Sequence, residues 1–376
     1  MAAHPPRAEA IVDLDALRHN VRLLAGRAAA SGAATMAVVK ADGYGHGAVP
    51  VGRAALEAGA AWLGSCSLAE ALALRDGGIT APILAWLDVP EVDHGPGIAA
   101  NVDLAASGVR ELDAIVAAGH RVGRAPRVHL KIDTGLARNG CPVAEWPDLV
   151  DAAAKAQADG HAEVVAVWSH LACADEPGHP SVDRQRQRFQ DAYDIATDAG
   201  LRPRRHLANS AATLDRPDLH FDLVRVGIAM YGLNPLPYQE DLRPVMTFRS
   251  SVTLVKRVAK GESVSYGQTW TAQQATNLAL VPVGYADGVP RLLSGRTDVW
   301  LAGRRRPVVG RVCMDQIVVD CGDETVPAGA EVVLFGPGDR GEPTATEWAN
   351  TIGTIDYEIV TGMYRPRVTR TYRGGR

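Results

Sequence analysis

"VVKADGYGHG" (38–47) closes an apolar, β-branched run on a lysine and continues with three glycines and a tyrosine. The run begins at Thr35 and reads as a buried strand, where a lysine is costly unless something compensates its charge. Runs of the same texture recur downstream: "AWLGS" (61–65), "PILAWL" (82–87), "VDLAAS" (102–107), "RVHLKID" (127–133), "VVAVWSH" (164–170), "RHLANS" (205–210) and "LVRVGIAM" (223–230). Stretches with helical spacing, such as 14–30, 52–60 and 67–78, precede or separate them. Near-continuous apolar strands alternating with helices imply parallel strands covered on both faces. Eight such units predict a (β/α)8 TIM-like barrel, for which roughly 250 residues is usual. An open doubly wound sheet is the competing architecture, but no glycine-rich dinucleotide fingerprint comes after the first strand.

At 376 residues the chain is too long for one ordinary core. Past residue 242 long helical periodicity gives way to short strands with turn punctuation, as in "VMTFRSSVTLVKRVAKGESVSYG" (245–267) and "DVWLAGRRRPVVGRVCMDQIVVDC" (298–321). The expected division is therefore an α/β barrel over 1–242 and a mostly-β domain over 243–376. A net charge of −4 argues against a nucleic-acid partner, and "GRRRP" (303–307) reads as a hairpin turn dressed in solvated charge. Cys66, Cys141, Cys173, Cys313 and Cys321 are scattered without metal-ligand spacing, which predicts reduced thiols and no metal. No apolar run approaches the roughly 20 residues that cross a bilayer. The opening "MAAHPPRAEAIVDLDALRHN" carries no signal-type apolar segment, so a cytoplasmic protein is expected.

Barrel active sites lie at the C-terminal ends of the strands. The strand ends here carry Lys40, Lys131, Asp133, His170, Asn209, Ser210 and Arg225, a polar set for such positions. Lys40 reads as a solvated strand-end lysine, a salt-bridge partner or an amine that forms a Schiff base, and the glycines after it favour the last by leaving room for a flat ligand. The last two strands lead into "HLANSAAT" (206–213) and "RVGIAMYG" (225–232), where Ser210 and the amides of Gly227 and Ile228 are placed to hold a phosphate.

These segments, with "HLKIDTGLARNG" (129–140), "WSHLACADEPGH" (168–179), "VSYG" (264–267), "GYADG" (284–288) and "GRVCMDQ" (310–316), resemble the alanine racemase family in order along nearly the whole chain. The resemblance implies a pyridoxal 5'-phosphate enzyme with a barrel and a C-terminal β-domain, acting as a homodimer with shared active sites. It implies that Lys40 carries the cofactor as an internal aldimine and serves as one catalytic base. Tyr266 matches the opposite base, contributed by the partner subunit. Arg225 matches the residue facing the pyridine nitrogen, with His170 beside the ring. Asn209, Ser210, Gly227 and Ile228 fall on the phosphate cradle, with Tyr44 beside it and Tyr364 matching a further phosphate contact. Arg138 and Met314 match the substrate-carboxylate positions, Tyr285 and Asp315 lie near the entrance, and Lys131 matches a lysine often carbamylated in the family.

The chemistry asks for such a set. Racemisation removes the Cα proton from one face and returns one to the other, so two bases on opposite faces meet the geometry. An arginine at the pyridine nitrogen cannot usefully give up its proton, which leaves the ring nitrogen unprotonated and favours proton exchange over decarboxylation. Asp133 is an alternative partner for Arg138 and Lys131. The segment "GMYRPRVTR" (362–370) departs from the family by placing Pro366 before Arg367 and Thr369 where a proline is usual. The expected function is interconversion of L- and D-alanine, supplying cell-wall synthesis. A serine/alanine racemase or a related pyridoxal-phosphate decarboxylase is the alternative; the decarboxylase would require an acidic partner for the ring nitrogen.

Overall fold

The computed structural model describes residues 6–374, so the first five residues of the opening segment lie outside the described residues. The chain divides into two compact units. Residues 17–43 and 48–242 make one; the described residues up to Ala16, Tyr44–Gly47 and those from Arg243 onward make the other.

Strand β1 (Glu9–Asp13) belongs to the second unit. The first unit is an eight-stranded parallel barrel of β2 (Ala34–Val38), β3 (Trp62–Ser65), β4 (Ile83–Ala85), β5 (Asp103–Ala106), β6 (Arg127–Lys131), β7 (Glu163–Trp168), β8 (Arg204–His206) and β9 (Leu223–Val226). Each strand from β2 to β8 pairs in parallel with its neighbour, and β2 also pairs with β9. Backbone hydrogen bonds from Asp222 N to Arg205 O (3.1 Å) and Arg225 N to Ala208 O (3.0 Å) bring the ring nearly to closure. Helices lie between successive strands, as the period switch in the sequence predicts. Met36, Trp62, Leu84, Ala105, Val165, Trp168 and Leu223 form a buried cluster in this unit.

The strands agree with expectation in number and order but are shorter at their ends. Gly227 (φ −118°, ψ −99°) leaves strand geometry, and Ile228–Tyr231 form a 3-10 turn closed by Met230 N to Gly227 O at 2.9 Å. The turn is itself buried, so its residues stay apolar and the pattern runs on past the strand.

The second unit carries β10 (Met246–Ser251), β11 (Leu254–Val258), β12 (Ser263–Val264), β13 (Trp270–Thr271), β14 (Thr276–Val281), β15 (Asp298–Leu301), β16 (Arg304–Val309), β17 (Ile317–Asp320), β18 (Glu331–Phe335) and β19 (Thr369–Arg373). Nine strands form one sheet in the order β11-β14-β17-β16-β15-β18-β10-β1-β19, and β12 with β13 makes a small ribbon. Phe248, Phe335 and Trp348 pack ring against ring in its core. The "GRRRP" stretch is a hairpin, turned at Ala302 (φ 53°) and Gly303 (φ 81°). The charge there is not all solvated: Arg306 is buried, donating to Leu301 O (3.1 Å) and Cys321 O (2.9 Å) and pairing with Glu324. Successive strand residues alternate between faces, so three consecutive arginines could not all point away from the core. All five cysteines are free. No helix among the described residues is long and apolar enough to cross a membrane.

Candidate active site

Lys40 lies two residues past the end of β2, at the rim where the barrel strands end. The chain then makes a left-handed turn: Ala41 (φ 51°, ψ 49°), Asp42 (φ 50°, ψ 52°), Gly43 (φ 64°, ψ 44°) and Tyr44 (φ 52°). Such backbone costs an L-residue about 1–2 kcal/mol, so neighbouring groups must hold it. Glu70 accepts from Ala41 N (2.8 Å) and Cys66 N (2.7 Å), Asp42 Oδ1 accepts from Ala48 N (2.8 Å), and Gly43 N donates to Val39 O (2.8 Å). The room beside the next two glycines is filled by protein, not held open for a ligand. A Cβ on Gly45 would stand 2.6 Å from Val360 O, and one on Gly47 would overlap the Tyr372 hydroxyl. Burial pushes the Lys40 ammonium below its usual pKa; Cys66 opposes this, Arg138 adds to it and Glu70 opposes it.

The same rim holds three further cations. Lys131 ends β6, buried, with Nζ 4.4 Å from the centre of the Trp168 ring. Burial, then the charges of Arg225 and Arg138, push it down to about 8 against Asp133 and Glu111. Arg225, on β9 and 5% exposed, donates from Nη1 to His206 O (2.8 Å) and from Nη2 to Ser169 O (2.7 Å). It also meets His206 Nδ1 (3.1 Å) and His170 Nδ1 (3.2 Å), with carbonyls and imidazoles in place of any carboxylate. Burial lowers its pKa, yet a guanidinium starts so high that it stays charged at neutral pH. His170 is pushed well down by burial and by Arg225, Arg138, Lys131 and Lys40 in turn, so it is neutral.

Arg138 rides on the loop after β6. Asp133 organises that loop rather than pairing with Arg138: its Oδ1 accepts from Gly135 N (2.8 Å) and Ala137 N (3.1 Å). Cys141 N to Lys131 O (2.7 Å) and Asp133 N to Cys141 O (2.9 Å) zip the loop's two ends together. At the exit of β8, Asn209 Oδ1 caps helix Ser210–Asp215 by accepting from Ala212 N (3.1 Å). Ser210 Oγ accepts from Gly227 N (2.8 Å) and Ala229 N (3.4 Å), which joins the exits of β8 and β9. Tyr231 then donates to Val38 O at 3.1 Å, tying the same turn to the end of β2. Thus Ser210 and Gly227 meet directly, with Asn209 and Ile228 their neighbours in the chain.

The remaining candidates lie in the second unit. Tyr44 is buried against Tyr357 with ring centroids 6.1 Å apart, and burial, then Tyr357, push its hydroxyl pKa up. Tyr266 is 74% exposed and comes directly after Ser265, whose φ of 66° and ψ of −179° belong to a region nearly exclusive to glycine. Ser265 Oγ donates to Arg311 O (2.9 Å) and lies 3.3 Å from Cys313 Sγ, fixing the loop that presents the tyrosine. Tyr285 and Met314 are brought together by Tyr285 N to Cys313 O and Ala286 N to Met314 O, both 3.0 Å. Asp287, fully buried, accepts from Gly284 N (2.9 Å) and pairs with Arg7 and Arg367. Arg367 also holds Asp315 at 2.5 Å, a role for the "RPR" segment that the sequence did not announce. Tyr364 is exposed, with the Arg370 guanidinium 5.4 Å from its ring centre. Sequence reasoning also missed His206 and Ser265; His206 lies in a quoted motif, while Ser265 carries no sequence signal of its strain.

The family model described as alanine racemase, N-terminal domain, matches residues 12–235, and that for the C-terminal domain matches 245–372. An alanine racemase of Salinispora arenicola is 57% identical over 372 residues, 98% of this chain and 99% of the relative. One from Mycobacterium avium is 54% identical over 371 residues, 97% of this chain and 95% of its own. The crystal structure of alanine racemase from D-cycloserine producing Streptomyces lavendulae superposes with a TM-score of 0.96 at 51% identity, covering 99% of this chain and 98% of that one. With both halves matched and the barrel and sheet shared throughout, this chain belongs to the alanine racemase family of isomerases.

Proposed function

We propose that this enzyme interconverts L- and D-alanine with pyridoxal 5'-phosphate as cofactor, in the cytoplasm, and supplies D-alanine for cell-wall synthesis. The observation that carries the reading is the set of four cations at one barrel rim, Lys40, Lys131, Arg138 and Arg225, whose charges depress one another's neighbours. Such a rim suits a ligand bearing a phosphate and a carboxylate. The residues fit the cofactor: Lys40 would hold it, with Ser210, Gly227 and Ile228 on its phosphate, Asn209 capping the turn that carries Ser210, and Tyr44 and Tyr364 beside it. When bound, the cofactor supplies an electron sink that acidifies the substrate Cα–H. Arg225, a donor with no carboxylate beside it, would leave the ring nitrogen unprotonated, and His170 would flank the ring.

Lys40, whose ammonium is already depressed by burial, would take or return the Cα proton on one face. Tyr266 does so on the other. Its exposure, with that of Met314 (52%), fits a side chain delivered into a second copy's site, so the working form is a homodimer. Arg138 and Met314 hold the substrate carboxylate, and Tyr285 with Asp315 narrows the entrance. Lys131, depressed to about 8, is accessible as a free amine that adds carbon dioxide and sheds a proton. The resulting carbamate would turn a cation beside Arg138 into an anion. The test is incubation of each alanine enantiomer in deuterated water. Loss of chirality with deuterium at Cα from both enantiomers is expected; release of carbon dioxide, or exchange with retained chirality, overturns the reading.

A further inference from the structure

A hydrogen-bonded file of side chains crosses the barrel interior. It starts at Asp103, the first residue of β5, whose Oδ1 accepts from Arg127 Nε (2.8 Å). Asp103 Oδ2 meets His129 Nε2 (3.1 Å); His129 Nδ1 meets His206 Nε2 (2.9 Å); His206 Nδ1 meets Arg225 Nη1 (3.1 Å); Arg225 Nη2 meets His170 Nδ1 (3.2 Å). His129 and His206 are fully buried and Asp103 is 1% exposed. Aromatic rings wall the file: Trp168 stacks on His206 (5.4 Å) and Trp62 meets His129 edge-on (5.5 Å).

The two kinds of end group fix every proton between them. An ionised carboxylate only accepts, so His129 carries its hydrogen on Nε2 and leaves Nδ1 as an acceptor. His206 must then donate from Nε2, which leaves its own Nδ1 to accept from Arg225. A guanidinium only donates, so the file closes without conflict. The reverse orientation would set an N–H of His206 against an N–H of Arg225. On the far side of Arg225, His170 accepts at Nδ1 and so presents Nε2–H at the rim. Burial, then the charge of Arg225, hold His206 well below its ordinary pKa, in keeping with a neutral ring.

We infer that Asp103 and His129, at the opposite end of the file from the rim, are positioning residues that set the tautomer of His206 and thereby hold the Arg225 guanidinium in place. The inference rests on the reading of Arg225 as the residue facing the cofactor's ring nitrogen, and it adds two residues that never reach the cofactor.

The test uses protein labelled with 15N-histidine, with and without pyridoxal 5'-phosphate. Both His129 and His206 should give neutral, Nε2-protonated signatures in either form. His129→Leu should disturb the His206 signature and lower kcat roughly ten- to hundred-fold, the scale of one charge-assisted hydrogen bond, with KM for alanine little changed. His129→Gln, whose amide donates to Asp103 and whose oxygen accepts from His206, should restore most of kcat and the His206 signature. A doubly protonated or Nδ1-protonated His206 in the native protein overturns the inference. So does a His129→Leu variant with native kcat, or a Gln variant that folds and binds cofactor yet is no better than Leu. The tautomers are read without substrate: correct tautomers in a protein that exchanges neither alanine enantiomer refute the racemase reading and leave the positioning file intact.

Discussion

Lys40 was legible because a lysine ending an apolar strand stands out against the expected composition of a barrel core. The backbone beyond it was not, since Ala41, Asp42 and Tyr44 all take a conformation that none of them advertises. The glycines suggest room for a ligand, whereas Gly45 and Gly47 make room for protein atoms. Two predictions belong at this scale. Ala41→Gly removes a left-handed Cβ while keeping the amide that Glu70 accepts, so it should stabilise the protein by about 1 kcal/mol and raise Tm; a lowered Tm contradicts the turn. Lys131 binds its proton up to about 10.5 when unfolded but only up to about 8 when folded. Between those values the unfolded chain holds more protons, so stability rises with pH across that window, and below it the burial penalty is felt in full. Denaturant titration of the cofactor-free protein in carbon-dioxide-free buffer should show that rise, and Lys131→Met should flatten it.

Among the elements, β6 carries Arg127, His129 and Lys131 at alternate positions, so the period-2 rule places them on one face. That face is the barrel interior, as His129's ring contacts show. The alternation was visible in "RVHLK", but only its last member stood out as chemistry; the partners of the other two come from β5, β7 and β8, which no local pattern connects. The loops of the second unit depend on close approach. A Cβ on Gly284 would strike the carbonyls of Cys313 and Met314, so Gly284→Ala should part the Tyr285 and Met314 loops and cost about 3 kcal/mol or more. A Tm indistinguishable from native would refute that packing. Ser265→Gly should separate stability from activity. Glycine relieves the backbone at Ser265, so Tm should hold or rise, while loss of the bond to Arg311 O loosens Tyr266 and slows racemisation.

For the whole molecule, the proposal of shared sites has a direct test. Lys40→Ala and Tyr266→Phe homodimers should each be inactive, and hybrids formed by unfolding and refolding the mixture should regain activity, because one site then receives a native residue from each chain. Continued inactivity in hybrids shown to form would place both bases on one chain. The barrel was legible as a whole because parallel strands buried on both faces leave near-continuous apolar runs. Strand β1 was not, since five residues, EAIVD, announce little and their partners are remote. Glu9 is bonded by Arg249, 240 positions later, and by Thr371, 362 positions later. On the ribosome this has a cost in time. Chains emerge at roughly 5–20 residues per second, so β1 leaves the tunnel with bare edges and waits many seconds for its first neighbour. Glu9, buried only once the sheet has formed, leaves a solvated charge on that orphan strand, which disfavours edge pairing with other chains until Arg249 arrives to bond it.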